Sequence, residues 1–276
     1  MNQMDLTREL ELATGLARAA GVVAMAHYGT TDADLKAGGS PVTAADHASN
    51  DVIVDGLRRA FPQDAILSEE SKDDPARLAA PRVWIVDPLD GTKEFLSQNG
   101  EFSVMIGLVV EGEPVLGVVY RPTTDVLYAA SRGEGAWRDV GGTQEALTPA
   151  AAQLDALRMV GSRSHHDPLL EEMQQALGIG DVAPSGSVGI KCALIAEGRR
   201  DVYIHPVPYL KEWDTCAPEV ILREAGGTVS DCIGERLQYN KQDPRQPDGI
   251  LATAPGVHDE VLDVTRPLYE KAKTPR

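Results

Sequence analysis

Trp84-Ile-Val-Asp-Pro-Leu-Asp-Gly-Thr-Lys-Glu-Phe95 is the stretch from which both the fold and the chemistry of this chain can be read. Residues 83–86 form a short, apolar, β-branched run between Pro81 and Pro88, the pattern of a buried strand. The strand is expected to end on Asp87, because Pro88 has no N–H with which to continue the ladder. Asp90 follows three residues later, and Gly91 permits a tight turn into Thr92-Lys-Glu-Phe, which reads as a helix start. Both carboxylates then leave a rigid strand end on one short turn. Beside them, the amides of Gly91 and Thr92 can face an anion at a helix N-terminus. Carboxylates this close repel each other unless a cation lies between them or one is protonated. Hard oxygen ligands favour Mg²⁺, held by a few carboxylates, waters and phosphate oxygens. A surface Asp-x-x-Asp-Gly turn is the plain alternative. The apolar strand before it and the Gly-Thr step after it favour a metal–phosphate site.

On the N-terminal side, Leu6, Leu10, Ala13, Ala17, Ala20 and Ala24 recur at helical spacing and predict a long first helix ending near Gly29. Residues 36–41 carry loop chemistry. Thr43 is placed to cap a second helix whose buried face is Ala45, Ser49, Val52, Ile53, Gly56, Leu57 and Ala60. Asp46 falls in its first turn, where the helix dipole favours a carboxylate, so spacing leaves structural and catalytic roles equally open. Residues 65–68 read as a strand running into Glu69-Glu70. Neighbours on an extended chain face opposite ways, so at most one of these two aims at a given site.

On the C-terminal side, residues 102–110 and 115–120 predict a hairpin, continued as a meander by residues 127–130 and 133–138. Residues 139–153, with Gly-Gly, Thr-Pro and an Ala-rich stretch, read as a connection between two units. The second half alternates strands and helices: a strand at 157–160, a helix at 168–177, and Gly186-Ser187-Val188-Gly189 opening a helix that contains Lys191. Asp214 is expected to cap a further helix that stops at Gly226-Gly227. Strands near 228–230 and 250–252 and a last helix from Val257 complete an α/β lobe.

A chain of 276 residues that is 42% hydrophobic can bury one large core or two medium ones. A net charge of −16 argues against nucleic-acid polymers and anionic membranes as partners, since both need a basic face. Cys192, Cys216 and Cys232 make an odd count without metal-ligand spacing, which points to reduced thiols in a cytoplasmic protein. The N-terminus reads as an acid-bearing amphipathic helix rather than a signal peptide, and the strongly apolar run at 104–110 is too short to span a bilayer.

Four segments occur together at fixed distances. They are residues 84–95, Ser40-Pro41-Val42-Thr43-Ala44-Ala45-Asp46, Ser68-Glu69-Glu70-Ser71 and Trp213-Asp214-Thr215-Cys216-Ala217-Pro218-Glu219. This set resembles the inositol monophosphatase superfamily of metal-dependent phosphatases over nearly the entire chain, and within it the 3'(2'),5'-bisphosphate nucleotidase branch. The resemblance implies an α/β (α+β) fold, a layered αβαβα sandwich. Residues 1–150 would form a lobe carrying most metal ligands; residues 151–276 would carry substrate contacts and one ligand. It implies that Glu69, Asp87, the Leu89 carbonyl, Asp90 and Asp214 hold two or more Mg²⁺ ions, with Asp46 and Thr92 activating the attacking water. Gly91, Thr92, His165, Gly186, Ser187 and Lys191 take the positions of substrate contacts, with Lys191 near the second phosphate of the nucleotide. His205 stands where some nucleotidases have an Arg, which leaves the 5'-phosphate anchor open.

The function so implied is Mg²⁺-dependent removal of the 3'-phosphate of adenosine 3',5'-bisphosphate, and of its sulfated precursor 3'-phosphoadenylyl sulfate, with Li⁺ sensitivity and a place in sulfur metabolism. The expected partner is a small phosphorylated molecule, and the expected state is a monomer or homodimer. An inositol or sugar-bisphosphate phosphatase is the neighbouring alternative. Inositol-selective members carry an acid several residues before the Trp-Asp step, where this chain has Val207-Pro208-Tyr209. A non-catalytic nucleotide sensor on the same scaffold would be expected to lose a ligand or the Asp46–Thr92 pair; all are present.

Overall fold

Apolar side chains alternate between two faces along the strand at residues 82–90, and that sorting organises the layers. Trp84 and Val86 join one buried cluster, while Val83 and Ile85 join another. The computed structural model describes residues 4–30, 33–35, 41–163 and 167–274.

The first half runs α1 (Thr7–His27), β1 (Ala33–Leu35), β2 (Pro41–Thr43), α2 (Ala44–Ala60), β3 (Ala65–Ser68), β4 (Arg82–Asp90) and α3 (Thr92–Leu96). It continues through β5 (Ser103–Val110), β6 (Glu113–Arg121), β7 (Val126–Ser131), β8 (Ala136–Val140) and β9 (Thr143–Ala146). The second half runs β10 (Arg158–Ser162), α4 (Pro168–Ala176), β11 (Asp181–Ser185), α5 (Val188–Ala196) and β12 (Val202–His205). It ends with α6 (Glu212–Glu224), β13 (Thr228–Ser230), β14 (Ile250–Thr253) and α7 (His258–Lys273).

Strands β3 to β9 form one sheet in chain order, antiparallel except for the parallel β3–β4 pair. A second sheet has the order β11-β10-β12-β14-β13, with parallel pairs around β10 and antiparallel pairs around β14. Helices α1 and α2 cover the outer face of the first sheet, burying Ala13, Ala17, Ala20, Ile53 and Leu57 against it. Helices α5 and α6 lie between the sheets: Cys192, Ile195, Cys216 and Val220 pack with Ile85 and Met105 on one side and Tyr203 and Ile250 on the other. Helices α4 and α7 close the far side through Leu170, Met173, Val261 and Tyr269. The result is five layers, helix–sheet–helix–sheet–helix, as the resemblance implied.

Helix α6 sits unusually close to the first sheet. Gly117 of β6 makes room for it: a Cβ there would lie 2.2 Å from the Ala217 carbonyl oxygen. The two sheets thus belong to separate halves of the sequence, yet the apolar cluster between them draws residues from both halves.

Two expectations need correction. Strand β4 does not stop at Asp87; it runs on to Asp90 through a bulge, where the register with β5 shifts between Asp87 and Asp90. The bulge absorbs the missing N–H of Pro88 without ending the strand. Residues 139–153 are not connection throughout, because Thr143–Ala146 is strand β9, paired with β8 at the sheet edge. Its side chains are exposed, so no alternating pattern marked it. The expected loop at 36–41 lies outside the described residues except for Pro41. Among the described residues, no helix is long and apolar enough to cross a membrane.

Candidate active site

The bulge in β4 turns Asp87 and Asp90 toward the same place, despite their odd spacing on a strand. The Leu89 N–H donates to Asp87 Oδ1 at 3.0 Å and fixes the turn between them. Asp214 arrives from the second half in the first turn of α6. It is not the N-cap expected from sequence; Lys211 holds that position, and the Lys211 N–H donates to Asp214 Oδ2 at 2.6 Å. One carboxylate oxygen from each of Asp87, Asp90 and Asp214 lies within 4.8 Å of the others. Glu69 follows β3, where its N–H donates to the Val86 carbonyl at 3.1 Å, and it lines the same cavity as the three aspartates and Leu89.

Electrostatics show how poorly this cluster is balanced by the chain itself. Burial, then the charges of Glu69, Asp90 and Asp214, push the Asp87 carboxyl well above the usual range. Burial, then Asp90 and Glu69, do the same to Asp214. Burial also raises Asp90, opposed first by the Lys191 ammonium and then by hydrogen bonds from Ser187 and Gly189. Several converging carboxylate oxygens with a deficit of positive charge suit a hard divalent cation. The donor set therefore fits the metal site expected from sequence.

Beside the cluster, Gly91 takes a left-handed backbone (φ 100°) and starts the short helix α3 at Thr92. The Thr92 hydroxyl donates to Asp46 Oδ1 at 3.1 Å, joining α3 to the first turn of α2. Asp46 Oδ2 accepts from the Thr43 N–H at 2.8 Å and from its hydroxyl at 2.6 Å, a capping arrangement that fixes the carboxylate from behind. The two Asp46 oxygens thus divide their partners, one capping α2 and the other accepting from Thr92.

From the second half, Gly186, Val188, Lys191, Tyr203, His205 and Tyr209 line the cavity, whose volume is about 260 Å³. Two of the expected substrate contacts also have partners inside the protein. Ser187 is fully buried; its hydroxyl donates to Asp90 Oδ2 at 2.5 Å and lies 2.8 Å from the Ser103 hydroxyl. The Lys191 ammonium, on a side chain only 2% exposed, donates to the Gly186 carbonyl at 2.8 Å and sits 5.1 Å from the Tyr203 ring centre. Burial pulls its pKa down, and the Asp90 charge opposes that. Ser187 therefore bonds Asp90 from behind, and the nearby Lys191 charge offsets that of Asp90. His165 lies outside the described residues.

A family model described as the inositol monophosphatase family matches residues 5–267. The chain belongs to the inositol monophosphatase family. Over 234 residues it is 43% identical to the 3'(2'),5'-bisphosphate nucleotidase CysQ of Escherichia coli K12, covering 83% of this chain and 92% of that one. It is 36% identical over 230 residues to the 3'-phosphoadenosine 5'-phosphate phosphatase of Mycobacterium leprae, covering 82% and 83%. Among solved structures, CysQ from Bacteroides thetaiotaomicron superposes with a TM-score of 0.77 at 36% identity, covering 90% of this chain and 98% of that one.

Several cavity residues escape the sequence reading, Glu94 and Tyr203 among them. Glu94, buried in the first turn of α3, reads in the sequence only as part of a helix start. Tyr203 carried a signal: in β12 it alternates with Val202 and Ile204, which pack on the opposite face, so it had to point toward the inner layer. Tyr209 belongs to the stretch 207–209 that stands where inositol-selective members carry an acid; it is 71% exposed at the cavity rim, on a connection between elements.

Proposed function

We propose that the chain is a Mg²⁺-dependent 3'(2'),5'-bisphosphate nucleotidase, hydrolysing adenosine 3',5'-bisphosphate to AMP and phosphate, with 3'-phosphoadenylyl sulfate as a second substrate. One observation carries the reading. Asp87 and Asp90, both buried, and the half-buried Asp214 converge within 4.8 Å on a cavity that Thr92, hydrogen-bonded to Asp46, also lines. The likeness to CysQ then selects the nucleotide.

Glu69, Asp87, Asp90, Asp214 and the Leu89 carbonyl would hold two or more Mg²⁺ ions. When bound, such ions neutralise the phosphate and lower the pKa of a water. Thr92 gives its hydroxyl hydrogen to Asp46 Oδ1, which leaves its oxygen lone pairs directed to receive a hydrogen bond from that water. The water oxygen attacks phosphorus in line, its proton passing toward Asp46 through Thr92. The bond from phosphorus to the 3'-oxygen breaks, that oxygen takes a proton from a solvent water to become the ribose hydroxyl, and Asp46 returns its proton to solvent. Gly91 and Gly186 line the cavity on the phosphate side, Gly186 also leaving room for the Glu94 side chain, while Ser187 and Lys191 keep Asp90 oriented and charged. His165 and His205 are assigned to the nucleotide side.

The same reading places the division of labour near residue 150, with one metal ligand crossing from the second lobe. It takes the protein as cytoplasmic and as a monomer or homodimer. The test is phosphate release from adenosine 3',5'-bisphosphate, inositol phosphate and fructose bisphosphate, with Mg²⁺ and with a chelator. The expected result is Mg²⁺-dependent release, with kcat/KM for the adenosine bisphosphate higher by roughly a hundredfold or more. A preference for inositol phosphate would overturn the substrate, chelator-resistant turnover would overturn the metal site, and binding without release would indicate a sensor.

A further inference from the structure

The metal ligands come from two halves of the chain, so something must set the distance between them. Glu69 lies on the first half and Asp214 on the second. Each sits on a segment held by a buried polar side chain, and both segments meet at one residue, Asn240.

On the Glu69 side, Asn50 of α2 clasps the turn. The Ser68 hydroxyl donates to Asn50 Oδ1 at 2.6 Å, and Asn50 Nδ2 donates to the Ser71 hydroxyl at 3.2 Å. The chain then enters a short 3₁₀ turn, Pro75–Ala79, carrying Arg77, which is 2% exposed. Arg77 Nε donates to Asp73 Oδ1 at 2.7 Å, and Arg77 Nη1 donates to Asn240 Oδ1 at 2.9 Å. Asn240 Nδ2 returns a hydrogen bond to the Arg77 carbonyl at 2.9 Å. A primary amide is the group that both accepts from a guanidinium and donates to a carbonyl.

On the Asp214 side, the fully buried Glu212 opens α6 two residues before the ligand. Its two carboxylate oxygens accept the backbone N–H groups of Asn240, at 2.6 Å, and Lys241, at 2.9 Å. The Glu212 N–H donates to the Pro244 carbonyl at 2.8 Å, and Gln246 N–H donates to the Leu210 carbonyl at 2.8 Å. The loop at 240–246 is thereby bound to the start of α6 from several points. Asn240 has φ 56°, the left-handed region that Asn tolerates better than most residues and Gly adopts freely.

We propose that Asn240 is a positioning residue for the metal site. Its side chain grips the segment that follows Glu69, and its backbone grips the helix start that presents Asp214. Through it the two halves fix the separation of their ligands. This rests on the metal reading above, so the test separates the two. Asn240→Gly keeps the left-handed backbone and the N–H bond to Glu212 while deleting both bonds to Arg77. Asn240→Asp keeps the acceptor for Arg77 Nη1 and loses the donor to its carbonyl.

Mg²⁺ binding is measured without substrate, by calorimetry and by the metal-dependent rise in Tm, and then in turnover as a function of Mg²⁺ concentration. Asn240→Gly is expected to raise the Mg²⁺ half-saturation roughly tenfold, with Asn240→Asp in between and kcat at saturating Mg²⁺ within about twofold of the parent. A lower Tm with unchanged Mg²⁺ affinity in both variants would overturn the proposal and leave Asn240 as a fold-supporting residue. If the parent itself shows no binding and no Mg²⁺-dependent rise in Tm, the metal reading falls, and this proposal with it.

Discussion

The ionisable groups that face the cavity and those that lie just behind it are satisfied in opposite ways. Facing the cavity, the buried Asp87 accepts the Leu89 N–H and otherwise meets the charges of Glu69, Asp90 and Asp214. Behind it, the buried Glu212 accepts two backbone N–H groups, and the buried Glu219 accepts the Tyr239 hydroxyl at 2.5 Å and pairs with Arg223 at 3.0 Å. Burying a charge is tolerable only where partners replace water. The groups behind the cavity have those partners within the protein. The carboxylates facing it repel one another, an arrangement that a bound cation would relieve. On the metal reading proposed above, the difference separates residues that serve the fold from residues that serve a metal.

The largest expected effect tests the cavity-facing set. Asp90→Asn keeps volume and an acceptor for Ser187 and Gly189 but removes one negative charge and the counter-charge of Lys191. Turnover should fall by roughly a thousandfold, on the scale of losing a principal electrostatic contact to the reacting group. Circular dichroism should show the fold retained, and Tm in chelator should hold or rise because repulsion at the empty cluster is relieved. Near-parental turnover would remove Asp90 from the metal ligands and break the comparison.

Lys191 marks the boundary between the two sets, since it lines the cavity yet bonds inward. Lys191→Met keeps the stem and deletes the charge. If its main duty is to Asp90, kcat/KM should drop about tenfold alike for adenosine bisphosphate and for a monophosphate, the ratio of ratios staying near one. A loss confined to the bisphosphate would place the ammonium on the second phosphate and move Lys191 to the cavity-facing set.

The smallest effect belongs to the set behind. Burial pushes the Glu219 carboxyl up to about 7, opposed by Arg223 and by the Tyr239 hydroxyl. The folded protein thus holds a proton that the unfolded chain, with its ordinary carboxyl near 4.5, gives up earlier. This contribution to stability is fully present below the unfolded pKa and is lost as pH rises through about 7. Its size is on the order of 3 kcal/mol. Glu219→Gln should flatten that part of the stability–pH curve, read from urea unfolding between pH 5 and about 8, while leaving kcat unchanged at saturating Mg²⁺. A curve parallel to the parent's would show that Glu219 is charged throughout, held so by Arg223.

While the choice of Glu69 and Asp214 as ligands came from the family resemblance, the sequence by itself determined most of the elements and the pair Asp87 and Asp90 on one short turn. These are local matters: a strand end, a glycine turn and a helix start each show in a few consecutive residues. It did not determine the bulge that carries β4 past Pro88, because a strand absorbs a missing N–H only when β5 supplies a partner for the residues beyond. Nor did it reveal that Ser187 turns toward Asp90 and Lys191 toward the Gly186 carbonyl, or that Tyr209 stands at the rim and Asn240 bonds Arg77 of the first half. Those assignments depend on which groups are nearest once α5 and α6 are pressed between two sheets. A side chain's partner in the interior is set by the packing of segments distant in sequence, and tertiary structure alone decides it.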